Sequence, residues 1–143
     1  MEIRTMTIND YKEVSKLWSN TAGMGMRSLD DSEAGIAKFL KRNSTTNFVA
    51  IRENQVVGVI LGGHDGRRGY IYHTAVDIEY RGNGIGSKMV ETVVIAFENE
   101  GINKAALVVF KTNDTGNQFW KSMGWEERLD LNYYNLSINH ENI

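Results

Sequence analysis

Apolar and polar positions change their period several times along the chain, and each change marks an element. Residues 1–7, MEIRTMT, read as a short strand. Residues 8–20 place Tyr11, Val14, Leu17 and Trp18 at helical spacing, with Asn9 or Asp10 as N-cap. The Gly- and Met-rich stretch 20–29, NTAGMGMRSL, reads as a loop. Residues 30–43 predict a second helix, acidic in its first turn and basic in its last, as the helix dipole favours. Residues 47–53 and 55–63 read as two strands around a turn. In GHDGRRG (63–69) an Asp-Gly pair between two β-runs predicts a hairpin leading into strand 70–78, YIYHTAVDI. Simple alternation puts Tyr70, Tyr72 and Thr74 on one face of that strand and Ile71, His73 and Ala75 on the other. Residues 87–101 predict a helix with Met89, Val90, Val93, Val94 and Phe97 inward and Gly101 as its stop. KAALVVF (104–110) is nearly all apolar, as in a strand buried on both faces. Residues 114–124 predict a short helix capped by Asp114 or Thr115 and stopped by Gly124, and 133–138, YYNLSI, a closing strand. The order β-α-α-β-β-β-α-β-α-β is that of an α/β (α+β) layer fold with a mixed, mostly antiparallel sheet.

Length and composition narrow the function. The 143 residues fit one domain spanning 1–143, with a core large enough to fold without staples. The absence of cysteine excludes disulfides, thiolate metal sites and a cysteine nucleophile, and suits a reducing cytoplasm. A net charge of −2 argues against a nucleic-acid footprint, which needs a basic face. No apolar run reaches the ~20 residues of a membrane span, and the N-terminal stretch lacks the apolar region of a signal peptide.

The chemistry concentrates in YRGNGIGSKMV (80–90), where Gly82, Gly84 and Gly86 alternate just before a helical run. A helix start leaves four N–H groups unpartnered and carries about half a positive charge. Glycines let an anion approach those donors. Arg81, and Lys88 just inside the helix, would add charge. The stretch therefore reads as a phosphate or pyrophosphate cradle, against the plainer reading of a tight strand-to-helix turn. It is neither a dinucleotide fingerprint, since Met89 stands where the third glycine belongs, nor a Walker A loop, since Ser87-Lys88 reverses the required order.

AVDIEYRGNGIGSKMV (75–90) resembles motif A of the GNAT N-acetyltransferase family, with Arg81, Gly84 and Gly86 filling its pattern. NDTGNQFWKSMGW (113–125) resembles the family's motif B through Asn113, Gly116, Phe119–Trp120 and Gly124–Trp125. The order of elements is similar across nearly the whole chain. The resemblance implies acetyl-CoA as donor. Its pyrophosphate would lie on the backbone of Gly82, Asn83, Gly84, Ile85, Gly86 and Ser87, with Arg81 beside it. Its pantetheine would pair like an added strand along Thr74, Ala75 and Val76, with Asn113, Phe119 and Trp120 alongside. The N–H of Val76 would be the oxyanion donor.

An acetyl transfer to an amine needs a base, an oxyanion donor and a route for the thiolate. With no cysteine, direct transfer is the simplest course. Many relatives carry tyrosine where Trp120 stands, and an indole is no practical acid. Tyr133 and Tyr134 are the substitutes that the sequence offers. The strand glutamate common among relatives is missing. His73 directly, or Tyr72, His73 or Glu79 through a water chain, are the candidate bases, His73 against a structural role; His64 reads as solvated. Loop 20–29, with Trp18, Met24, Met26 and Arg27, and the turn residues Asp65, Arg67 and Arg68 are candidate acceptor walls. The expected function is acetyl-CoA-dependent N-acetylation of a primary amine on a small molecule, peptide or protein. The alternative is a catalytically weak acyl-CoA-binding regulatory module of the same fold. No metal is expected, and a homodimer is consistent with the family.

Overall fold

The computed structural model describes residues 1–143. In chain order it contains β1 (Glu2–Thr5), α1 (Tyr11–Ser19), α2 (Glu33–Arg42), β2 (Phe48–Arg52), β3 (Gln55–His64), β4 (Gly69–Val76), α3 (Ile85–Asn99), β5 (Ala105–Ala106) and α4 (Asp114–Ser122). One five-stranded sheet runs β1-β2-β3-β4-β5. Its first three pairings are antiparallel, and β4 pairs with β5 in parallel. The result is the mixed, mostly antiparallel α+β sheet that the sequence predicts.

Two apolar clusters cover the two faces. On one, Val14, Leu17 and Trp18 of α1 and Ile36 of α2 pack on Val49, Val59, Leu61 and Ala75. On the other, Met89, Val90, Val93 and Phe97 of α3 pack on Ala50, Val57, Ile60 and Ile71. Met24 and Met26 of the loop lie against the first cluster, and Met24 also lines the cleft beside β4. Thr46 and Asn47, both fully buried, are partnered. Thr46 donates to the Gly62 carbonyl at 2.6 Å, and Asn47 accepts from the Gly62 N–H at 2.9 Å.

Buried Asp10 holds Arg4 through two hydrogen bonds of 2.8 and 2.9 Å and accepts from the Thr7 N–H. The Arg4 hydrogen bonds pull its carboxyl below the usual carboxylate range. A carboxyl more acidic in the folded than in the unfolded chain stabilises the fold above the ordinary value near 4. That contribution fades as pH falls through the lower folded value. Asp10→Asn is expected to cost about 2 kcal/mol at pH 7 in urea unfolding, with a deficit that shrinks toward pH 3.

Val94, expected inward on α3, is 37% exposed, and three expected elements differ. The helix expected at 30–43 starts at Glu33, because Ser32 caps it by accepting from the Gly35 N–H at 3.0 Å. Asp30 and Asp31 are therefore outside it. The strand expected at 104–110 shrinks to Ala105–Ala106, with Val108 and Phe110 more than half exposed. The strand expected at 133–138 does not form; those residues run as irregular chain, with Tyr133 67% and Tyr134 86% exposed. The last two share one cause, a splaying of β4 from β5.

Candidate active site

The splay originates at a bulge. Leu61 pairs with Tyr72 and Val59 with Ala75, so His73 and Thr74 together oppose Ile60 alone. His73 takes the left-handed conformation at φ 43°, uncommon for a residue with a side chain. The bulge cancels the simple alternation. Ile71 packs toward α3, whereas Ala75 joins Tyr72 and His73 on the α1–α2 side. Beyond Gly69 and Tyr70 the β4 edge has no partner strand.

The cleft so opened has a volume of about 2140 Å³. Along β4 the backbone donors alternate edges. Asp77 N–H bonds to the Val57 carbonyl at 2.8 Å, on the β3 side, so the Val76 N–H and carbonyl face the cleft. The Val76 carbonyl accepts from Arg81 Nε at 3.0 Å, leaving its N–H as the donor aimed at the opening.

At the end of this edge Asp77 caps a short turn by accepting from the Glu79 N–H, and the chain enters the glycine stretch. Gly82 and Gly84 sit at φ 81° and 77°, and a Cβ built on either meets nothing within 4 Å. Gly84 is the N-cap of α3, whose first intrahelical bond is Lys88 N–H to the Gly84 carbonyl. The N–H groups of Gly82, Asn83 and Gly84 have no protein acceptor. Open space in front of unpartnered donors at a helix start is what an anion requires. Ile85 contributes backbone only, because its side chain is core. At Gly86 a side chain would press on the Phe119 ring at 3.2 Å, so this glycine lets α4 approach α3.

The opposite wall comes from α4. Asn113 caps the helix by accepting from the Gly116 N–H at 2.9 Å, which replaces the expected Asp114 or Thr115 cap. Trp120 stands edge-on between Phe119 and Trp125, with both ring centroids at 5.1 Å.

The cleft is lined by Thr74, Ala75, Val76, Arg81, Gly82, Gly84, Ile85, Gly86, Ser87, Asn113, Phe119, Trp120, Tyr72, His73 and Tyr133. Of the residues singled out from sequence, Asn83, Glu79, Lys88, Tyr134, Trp18, Met26 and Arg67 lie outside this lining, the Asn83 amide donating to the Tyr80 carbonyl at 3.0 Å. The Thr74 hydroxyl is enclosed and has no protein partner, so the cleft holds a polar atom in need of a ligand.

The acceptor end lies beside β4 and the loop before α2. Burial, then neighbouring Tyr133 and Tyr72, pushes the Tyr70 phenol up to about 12. Burial, then Tyr133 and Asp30, raises Tyr72 as well. Both phenols keep their protons near neutrality and act as donors. His73 Nε2 lies 2.7 Å from Asp31 Oδ1. Trp18 is core, not a cleft wall; its indole N–H holds the His73 carbonyl at 3.0 Å. In the β3–β4 turn, Asp65 accepts from the Arg67 and Arg68 N–H groups, so its carboxylate serves the turn. Those two bonds, Arg68 first, hold its carboxyl below the usual range. Sequence reasoning missed Asp31. The DDSE run signals a helix start, and nothing in it reports a contact 42 residues away.

No metal-binding group of His, Asp or Glu is present, and no helix is long and apolar enough to cross a membrane. The profile of the Acetyltransferase (GNAT) family matches residues 12–125. An acetyltransferase of Sodalis glossinidius is 32% identical over 126 residues, covering 88% of this chain and 87% of that protein. Among solved structures, an aminoglycoside acetyltransferase from an uncultured soil metagenomic sample, in complex with trehalose, superposes with a TM-score of 0.74 at 26% identity, covering 95% of this chain and 96% of the other. A predicted acetyltransferase of Clostridium acetobutylicum, solved with acetyl-CoA, superposes with a TM-score of 0.71 at 20% identity over 97% of this chain and 98% of the other.

Proposed function

Because this chain belongs to the GNAT acetyltransferase family, we propose that it transfers the acetyl group of acetyl-CoA directly to a primary amine. The observation that carries this reading is the free Val76 N–H at the mouth of a cleft that ends in the glycine cradle. Pyrophosphate suits the N–H groups of residues 82–87. A pantetheine arm has peptide-like groups that can pair with the open β4 edge at Thr74 and Val76. This arrangement leads the thioester carbonyl to the Val76 N–H, which stabilises negative charge as it develops there.

The neutral amine attacks the thioester carbonyl carbon. A C–N bond forms, the C–S bond breaks, and the amine proton passes to His73. Acetyl thioester and amine become amide and thiol. An ordinary thiol has a pKa near 8.5, so the thiolate can leave without a strong acid. Tyr133, which also lines the cleft, is the phenol that donates to it. Trp120 forms a wall.

The test is thiol release from acetyl-CoA against a panel of primary amines, with the amide identified by mass spectrometry. The cysteine-free chain adds no thiol background. Amine-dependent release with matching amide is expected. Bound acetyl-CoA with no release for any amine would favour the regulatory-module reading.

A further inference from the structure

Asp31 is 7% exposed, yet it belongs to no helix or strand and forms no bond to a lysine or arginine side chain. Its two oxygens are divided. Oδ2 accepts from the Arg27 N–H at 2.6 Å, which closes the loop on itself. Oδ1 meets His73 Nε2 at 2.7 Å. An ionised carboxylate only accepts, so the proton between them belongs to Nε2. Neutral imidazole carries one N–H, and Nδ1 is then a bare acceptor. No protein group bonds to Nδ1, His73 lines the cleft, and its side chain keeps 17% exposure.

The backbone supports the same assignment. His73 adopts a left-handed conformation inside a strand, which persists only where its surroundings enforce it. Here they do so at three points. Asp31 holds Nε2, the Trp18 indole holds the carbonyl, and the Trp18 ring stands edge-on to the imidazole at 5.2 Å. The loop carrying Asp31 is held in turn by the chain's last residues. Asn142 Oδ1 accepts from the Leu29 and Asp30 N–H groups at 3.0 and 3.1 Å, and Ser28 N–H donates to the Ile143 carbonyl at 2.8 Å.

We propose that Asp31 is a positioning residue, which fixes His73 in the Nε2–H tautomer so that Nδ1 takes the proton of the acceptor amine. The proposal rests on the acetyl-transfer reading above. Asp31 touches neither substrate; it acts through His73. The cleft that His73 lines also carries Arg27, Asp30 and Asp31 from the loop, Lys38 and Arg42 from α2, His64, Asp65 and Arg68 at the β3–β4 turn, Tyr70 and Tyr72 from β4, and Arg81, Lys111 and Tyr133. α1 packs Trp18 against it, and β3 places Ile60 opposite.

The test combines a spectroscopic and a kinetic readout on the full chain. Long-range proton–nitrogen correlation of ¹⁵N-histidine-labelled protein reports which ring nitrogen carries the proton. There are three histidines, and the His73 signals are assigned by their loss in His73→Asn. The neutral wild-type ring is expected to show Nε2–H with unprotonated Nδ1. In Asp31→Asn the amide can donate to Nε2, which moves the proton to Nδ1. The variant is expected to lose about 100-fold in kcat, within the range of general-base effects. Its affinity for acetyl-CoA stays unchanged. Asp31→Glu should recover part of the rate. An Nδ1–H tautomer in the wild type overturns the proposal even if Asp31→Asn does not fold, and so does an Asp31→Asn kcat within twofold of wild type. A wild type that binds acetyl-CoA but acetylates no amine counts against the transfer reading instead, and the tautomer still decides the positioning.

Discussion

His73→Asn is expected to lower kcat for amine acetylation by about 10²–10⁴-fold, the range removed with a positioned general base. Asparagine is the informative replacement. It tolerates the left-handed backbone that His73 adopts at φ 43°. Its amide is too short to reach Asp31, so the bulge keeps the anchor that the Trp18 indole gives to the residue 73 carbonyl. The variant loses the ring nitrogen that accepts the proton. Acetyl-CoA affinity should match wild type, since the glycine cradle and the Val76 N–H are untouched. Initial rates at saturating acetyl-CoA, beside calorimetric acetyl-CoA affinity, check this. An unchanged kcat would assign the proton transfer to another group, with Glu79 through water the next candidate.

The second large effect is expected at Gly84→Val. Gly84 sits at φ 77° as the N-cap of α3, with empty space where a Cβ would project. The substitution therefore meets no clash in the free protein; the conflict is conformational. An ordinary residue held left-handed costs about 1–2 kcal/mol. A β-branched one is an outlier there. The loop relieves that strain by leaving the conformation, which swings the N–H groups of residues 82–87 off the anion. Any methyl that stays in place occupies the ligand's approach. Acetyl-CoA affinity should fall about tenfold or more, since 1.4 kcal/mol is a factor of ten. The rise in melting temperature on adding acetyl-CoA checks it: a large rise for wild type, little for the variant, and similar melting without ligand. An equal ligand-induced rise in both would reduce the glycines to a tight turn.

What the sequence disclosed follows from how local the signals are. The glycine turn into α3 was legible because positive φ and a helix start are written in neighbouring residues, and Gly82 and Gly84 adopt them. Gly101 and Gly124 were legible as helix stops for the same reason, at φ 76° and 89°. The Asp-Gly turn at 65–66 needed only its own carboxylate to close. The bulge was not legible. Nothing about histidine in YIYHTAV signals a left-handed residue, and the groups that enforce it, Trp18 and Asp31, come from distant parts of the chain. That miss carried two others. With β4 turned from its neighbour, the apolar run at 104–110 has an edge to pair with only at Ala105–Ala106. Its period suggested a buried strand, yet Val108 and Phe110 are exposed at the cleft. Residues 133–138 likewise alternate like a strand but find no edge. The departures from regular pattern thus collect where the sheet opens onto the cleft.

The central claim is that this opening and its glycine cradle hold acetyl-CoA. Titration calorimetry of the wild-type chain with acetyl-CoA, and with NADH and ATP as controls, tests it most directly. The account predicts saturable one-to-one binding of acetyl-CoA in the micromolar range, about −8 kcal/mol, with no comparable heat from NADH or ATP. Absence of acetyl-CoA binding, or equal binding of all three, would contradict it.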